Sequence, residues 1–500
     1  MKKINTIIFS ILMLVSFSSC DRFLELKPRN QKVVKTVEDY RDILASFMYY
    51  IKTPNPESVK IMGLPNASPF ISNNMNMELS VFTGESNLNK GSELVFDKDK
   101  AEFKTQALNM YLWMDNVFYS SYIWKSFYQF LGGTNKIIDG VSQAEGNDDR
   151  LRNIVKGEAL VWRAYGYYKL LQHYSPYQNN EYGIPLYLTP EKDAGTAMPK
   201  RNTQQEVFKL ILGDCQSALE LLEVTPTSEW NCAYRSDFIH AMMASIYTWK
   251  AMSASAENTD WANAEKNATI AMGKRQLTNS AETLRKMFDC SHVTAETSMK
   301  NDEFYFRMMF GKNNYSQDLS SAYYKVSVAM VNQEASPEYI EKFRESDIRK
   351  SAYFSPDGLV NDKYSLDQYK KGGCVILFRL AEMYLIKAEA LVRQGKIEEG
   401  RQVLREFQQS RYTETIEIPG DADALLQEIL DERLREFYTE LDFRWLDMKR
   451  LGVTITRYNK GERNTLEPYD FRYTLPIPPE ELKTNKNIRQ NPGWDNIVLI

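Results

Sequence analysis

Between Val375 and Arg411 the chain carries a spacing that a pair of close-packed helices satisfies. Tyr384, Ala388 and Leu391 fall on one face of a first helix, and Gly400, Leu404 and Phe407 on one face of a second. The step of twelve from Ala388 to Gly400 puts small side chains where antiparallel helices must approach closely. A bulky residue precedes the first by four, and others follow the second by four and seven. That is the tetratricopeptide layout. A looser copy runs from Asp237 to Met272, with Trp261, Ala264, Ala268 and Ala271 on its second helix. About two or three such pairs make a short scaffold, not a long solenoid.

Other helices are announced by caps and periodicity. Thr36-Val37-Glu38-Asp39 fits a capping start, followed by Tyr40, Ile43, Leu44 and Phe47 at helical spacing. From Ala107 onward a helical pattern is dense in aromatics, namely Tyr111, Trp113, Tyr119, Tyr122, Trp124 and Tyr128. A second helix is predicted over about Leu151 to His173, and Thr203-Gln204-Gln205-Glu206 forms a capping box before Val207, Ile211, Ala218 and Leu222. Two stretches break this regularity. Residues 52–103 are rich in Pro, Asn, Ser and Gly without a sustained period, too long for an ordinary connector. Residues 273–374 are irregular as well, with a predicted strand at Glu303 to Phe310 and non-periodic aromatics such as Tyr305, Tyr315, Tyr323 and Tyr324. The predicted fold is mainly α, with tetratricopeptide-like helix pairs as scaffold beside an irregular, loop-rich half of minor β content.

The N-terminus predicts the compartment. Met1-Lys2-Lys3 supplies a positive start and Ile7 to Val15 an apolar stretch of export-signal length, too short for a membrane span. It ends Phe17-Ser18-Ser19-Cys20, small residues before a cysteine as in the lipobox of bacterial lipoproteins, although Phe17 stands where Leu is usual. Residues 1–19 therefore read as a lipoprotein signal peptide and Cys20 as an acylated first residue. No later stretch reaches the ~18 apolar residues of a second span. Net charge of −4 argues against a nucleic-acid footprint. The remaining Cys215, Cys232, Cys290 and Cys374 match no disulfide framework and read as buried thiols. His173, His240 and His292 show no metal-ligand spacing, so neither a zinc site nor a cofactor is expected.

Catalytic signatures are missing. No Gly-x-Ser-x-Gly elbow, P-loop, dinucleotide fingerprint or His-Glu-x-x-His occurs. Glu432, Glu436 and Glu440 share one face at helical steps, a pattern open to reading as a glycosidase pair. They lie among Arg433, Arg435, Arg444 and Lys449, which favours ion pairing on or under a helix.

The order of blocks resembles the SusD/RagB family of surface lipoproteins. Cys20-Asp21-Arg22-Phe23-Leu24-Glu25-Leu26-Lys27-Pro28 is similar to its opening, and Tyr111-x-Trp113, Trp124-x-x-x-Tyr128 and Asn135 to its first aromatic helix pair. Gly157-Glu158-Ala159, Arg163-Ala164-Tyr165 and Gly183-Ile184-Pro185-Leu186 match the next block. Arg379-Leu380-Ala381-Glu382-x-Tyr384-Leu385-x-x-Ala388-Glu389-Ala390 is highly specific, as is Glu432-Arg433-x-x-Glu436-Phe437 continuing to Arg444-Trp445-x-Asp447-x-x-Arg450. The end, Leu475-Pro476-Ile477-Pro478 through Gln490-Asn491-Pro492-Gly493-Trp494, is again similar.

The resemblance implies one SusD-like domain over 20–500. Its N-terminal part, about 20–222, holds the variable loop 52–103, and its C-terminal part, about 223–500, holds helix pairs and the insert 273–374. It implies a non-enzymatic, lipid-anchored outer-membrane protein that binds an oligosaccharide or other oligomeric nutrient for a SusC-like TonB-dependent transporter. Sugar rings lie on aromatic faces while their hydroxyls take polar groups, so Phe82, Asn87, Trp113, Tyr119 and Tyr305 are the candidate contacts. Residues 52–103 depart from the family in being Asn- and Met-rich, which leaves the ligand class open. Two rival readings stand beside this one: a polysaccharide hydrolase or lyase, and a tetratricopeptide-type assembly protein that binds peptide.

Overall fold

The computed structural model describes residues 34–52, 89–90, 93–94, 112–113, 117–188, 198–224, 234–288, 302–310, 337–356, 363, 373–459 and 462–495. The elements run α1 (Val37–Lys52), β1 (Asn89–Lys90), β2 (Glu93–Leu94), α2 (Val117–Gln143), α3 (Asp149–Tyr174), α4 (Gln204–Val224), α5 (Ser236–Lys250), α6 (Asp260–Met272) and α7 (Ala281–Phe288). They continue β3 (Phe304–Phe310), α8 (Pro337–Ile340), α9 (Ile348–Tyr353), β4 (Gly373–Arg379), α10 (Leu380–Arg393), α11 (Ile397–Gln409), α12 (Ala422–Glu436) and α13 (Phe443–Leu451). The last are β5 (Ile455–Asn459), β6 (Glu462–Leu466) and α14 (Pro479–Thr484). The protein is mainly helical, as its periodicity predicts.

Helix starts follow their caps. The Thr36 hydroxyl accepts from the Asp39 amide at 3.2 Å while the Asp39 carboxylate accepts from the Thr36 amide at 3.0 Å. Thr203 and Glu206 exchange the same pair of bonds at 3.1 and 2.8 Å, opening α4. Each reciprocal cap satisfies amide donors that the first turn leaves unpaired. The helical stripe from Ala107 is interrupted: Leu112 and Trp113 form a turn, with Trp113 at φ 54°, and the regular helix begins at Val117. The repeat signal at Val375 likewise starts in strand β4, since Val375 to Leu380 is apolar enough to serve either structure and β3 is available as a partner.

Helix α3 packs between α2 and α4, while α5 pairs with α6 and α10 with α11. Because α6 also packs on α10, the two helix pairs abut although residues 273–379 separate them in sequence. At Gly400 an added Cβ would lie 2.7 Å from Val392 Cγ2 and 3.2 Å from the Ala388 carbonyl oxygen. The small residues do lie where α10 and α11 approach. Antiparallel β3 and β4 pair from Phe304↔Arg379 to Phe310↔Gly373, and their side chains alternate between two cores. Leu377 joins the large apolar cluster of α2 to α6, and Ile376 joins the smaller one of α7, α9 and Tyr438.

The C-terminal motif closes on α3. Asn491 Nδ2 donates to the carbonyls of Tyr174 and Leu475 at 3.0 and 2.7 Å. The Gln490 amide exchanges bonds with both backbone groups of Ile477, and the Trp494 indole donates to the Thr474 carbonyl. These side chains replace backbone partners that an irregular segment lacks.

Candidate functional site

An open cleft of about 520 Å³ lies on the irregular side of the fold. Arg285 from α7, the segment from Glu345 to Ile348, Lys350 and Ser351 on α9, Phe354 to Pro356, and Thr413 line it. Its volume falls within the ~300–1,000 Å³ of ordinary ligand pockets. Asp347 builds one wall: its carboxylate caps α9 at the Arg349 amide, 2.9 Å, while Ile348 N donates to Arg411 O and Thr413 N to Ser346 O. The cleft thereby gains hydroxyls from Ser346, Ser351, Ser355 and Thr413, and ammonium and carboxylate groups from the paired Lys350 and Glu345. Among the described lining residues Phe354 is the aromatic one, and its ring is buried.

Behind this wall lies a fully buried ionic cluster. Arg349 donates to Asp347 and Glu432, both at 2.7 Å, and to Glu436 at 3.2 Å. Arg379 reaches Glu436 at 2.7 Å and holds both oxygens of Glu440 at 2.7 and 2.9 Å. Arg411 takes Glu436 at 2.9 Å and Glu303 at 3.3 Å, and Lys363 takes Glu440 at 2.9 Å. The three acids predicted on one face do meet here, but α12 ends at Glu436 and Glu440 lies in the turn beyond it. Their partners come largely from distant segments. Of the neighbours named in the sequence, Arg435 pairs with Glu432, Arg433 turns to Asp447, Arg444 donates to the Tyr339 hydroxyl, and Lys449 donates to the carbonyls of Gln172 and Ser175.

The electrostatics follow from this geometry. Burial opposes ionisation of Glu432, yet Arg349 and Arg435 outweigh it and hold the carboxyl at about 2. Against the same burial, Arg411, Arg379 and Arg349 hold Glu436 well below the usual carboxylate range. Burial lowers Lys363 to about 8 despite Glu440. A general acid must carry a proton near its working pH, so Glu432 and Glu436 are unsuited to that role. They serve as the floor on which the cleft wall rests.

Trp113 is 1% exposed with the Arg457 guanidinium 4.5 Å from its ring centroid, and Tyr305 is 2% exposed with Arg275 at 4.7 Å. Both belong to the large core cluster, and neither lines the cleft. Tyr119 lies in the first turn of α2. Cys20, Phe82 and Asn87 lie outside the described residues, as do Cys232 and His292; Cys215 is a buried free thiol. The cleft residues carried no motif in the sequence. Arg379 did leave a signal, a lone charge inside the apolar run Val375 to Leu380.

Comparison with known proteins agrees with this architecture. Residues 22–248 match a SusD-like family model described as "Starch-binding associating with outer membrane", and residues 289–494 match the model of the SusD family. The chain belongs to the SusD/RagB family. It is 33% identical over 125 residues to the starch-binding protein SusD of Bacteroides thetaiotaomicron, a stretch covering 24% of this chain and 21% of that protein. A SusD-like protein of Formosa agariphila is 22% identical over 385 residues, 66% of this chain and 72% of the relative. Among solved structures, a SusD-like carbohydrate binding protein from Bacteroides vulgatus superposes with a TM-score of 0.64 at 18% identity, covering 91% of this chain and 97% of that one. A SusD superfamily protein from Bacteroides fragilis gives 0.64 at 17% identity, covering 92% of this chain and 100% of its own. These likenesses establish the fold.

Proposed function

We propose that the protein is a cell-surface lipoprotein that binds a glycan or a related oligomeric nutrient and passes it to a SusC-like TonB-dependent transporter, without catalysis. The observation that carries this reading is the family match along two long stretches, 22–248 and 289–494. The open cleft supports it, since clustered hydroxyls and charged groups suit a ligand rich in hydroxyls. The saturated carboxylates behind the cleft favour binding over hydrolysis. In this reading Cys20 carries the lipid and residues 20–500 act as one unit. Acyl chains contribute ~0.8 kcal/mol per buried methylene and keep the binder beside its transporter at high effective concentration.

Native affinity electrophoresis of the 21–500 protein across plant, microbial and host glycans tests this, with reducing-end release assayed in the same samples. Retardation by one glycan without sugar release is the expected result. Release of sugar would overturn the non-catalytic reading, and binding of peptide alone would overturn the nutrient reading.

A further inference from the structure

Glu382 belongs to the motif at the start of α10, yet it stands apart from the ionic cluster. It is 2% exposed, and its Oε2 has no hydrogen-bond partner. Arg433 on α12 is 5% exposed; its Nε and Nη2 reach Asp447 at 3.0 and 3.4 Å, while Nη1 has no partner. Both residues line one partly open cavity of about 60 Å³, walled by α3, α5, β4, α10, α12 and α13. Orphaned buried polar atoms cost free energy, and two of opposite kind on one cavity call for a shared partner.

Size, polarity and charge select that partner. A water needs ~10–15 Å³ of cavity and occupies ~30 Å³ in the liquid, so 60 Å³ holds about two to four waters and no sugar ring. Dry cavities are apolar, whereas this one is lined also by Lys169, Gln172, Ser245 and Thr248. Lys169, Arg433 and Arg450 balance Glu382, Asp442 and Asp447 along its wall, so it favours neither a metal cation nor an anion. Water both donates and accepts, which suits a guanidinium and a carboxyl together.

We propose that this cavity is a hydration site built into the fold, where about two to four ordered waters join the Glu382 carboxyl to the Arg433 guanidinium and let Glu382 exchange a proton with solvent. The groups facing Glu382 set its behaviour. Arg433 comes from α12, Asp447 and Arg450 from α13, and Asp442 from the residue before it. Tyr165, Tyr168, Lys169 and Gln172 come from α3, and Ser245 and Thr248 from α5. Glu440, in the turn after α12, adds its charge. Burial pushes the carboxyl up to about 7, with Arg433 opposing and Asp447 reinforcing. Near neutrality the group therefore passes from donor to acceptor, and only reorientable partners such as water satisfy both forms.

The deciding measurement is a crystal structure of the purified protein at a resolution that shows ordered water, on both sides of pH 7. The expected map holds waters within hydrogen-bond reach of Glu382 Oε2 and Arg433 Nη1. An empty cavity, a direct Glu382–Arg433 ion pair, or density for an ion or organic solute would overturn the proposal. Thermal unfolding supplies a second readout. A folded value above the unfolded 4.5 means stability present at low pH and lost as pH rises through about 7. Glu382→Gln removes that loss, so its Tm relative to wild type rises between about pH 5 and about pH 8. A variant profile parallel to wild type refutes proton exchange. If the variant fails to fold, the wild-type map still decides.

Discussion

Replacing Glu436 by Gln tests whether the buried ionic cluster holds the irregular half in place. Oε1 of Glu436 accepts from Arg379 at 2.7 Å and Arg411 at 3.2 Å, and Oε2 from Arg349 at 3.2 Å and Arg411 at 2.9 Å. A glutamine keeps one acceptor oxygen. Its amide nitrogen then faces donors, so two charge-assisted bonds are lost and the cluster gains an uncompensated positive charge. Bonds to charged groups contribute ~1.5–3 kcal/mol each, and breaking a buried pair costs ~3–5 kcal/mol. We expect a loss of about 3–5 kcal/mol. Unfolding entropy of ~2.1 cal/mol/K per residue sums to roughly 1 kcal/mol/K for a chain of 500 residues. The predicted fall in Tm is therefore about 3–5 °C by calorimetry. Glu398→Gln, which breaks the exposed pair with Arg401, is the control at ~1 °C or less. A Glu436→Gln protein within about 1 °C of wild type would refute the assigned role.

Acid weakens this cluster and the neighbouring pairs of Asp447 with Arg433 and Arg450. Glu432 and Asp447 are each held at about 2, where arginine partners outweigh burial, against ordinary values of 4.5 and 3.8. Their contribution is full above the ordinary values and is lost as pH falls toward about 2, so Tm declines steeply below about pH 4.5, and a flat profile there contradicts the geometry. Gly183→Ala places a Cβ 2.3 Å from the Asn202 carbonyl oxygen, a contact with rigid backbone. We expect about 1–3 kcal/mol of destabilisation, read as ~1–3 °C in Tm. Cys20→Ala abolishes fatty-acid labelling and releases the protein from the membrane fraction; labelling that persists would reject Cys20 as the anchor.

Local chemistry was legible in the sequence alone. The caps at Thr36 and Thr203 need residues three apart, and the stripe from Tyr384 to Phe407 needs only helical periodicity, so neighbouring residues settle both. The strand at Phe304 was legible too, but its pairing with β4 was not, because register depends on which apolar run is available across the 62 residues between Phe310 and Gly373. The acids of the cluster were visible as a row at 432, 436 and 440, whereas their partners Arg349, Arg379 and Arg411 lay on three other segments. Burial likewise separated look-alikes: Trp113 and Tyr305 have the composition of a sugar platform and are packed in the core. The sequence by itself determined the long periodic helices, the caps at Thr36 and Thr203 and the family. Only the tertiary structure decided which charges meet, which aromatics are buried and where Glu382 and Arg433 share a cavity, because ion pairing and desolvation depend on distance in space, not along the chain.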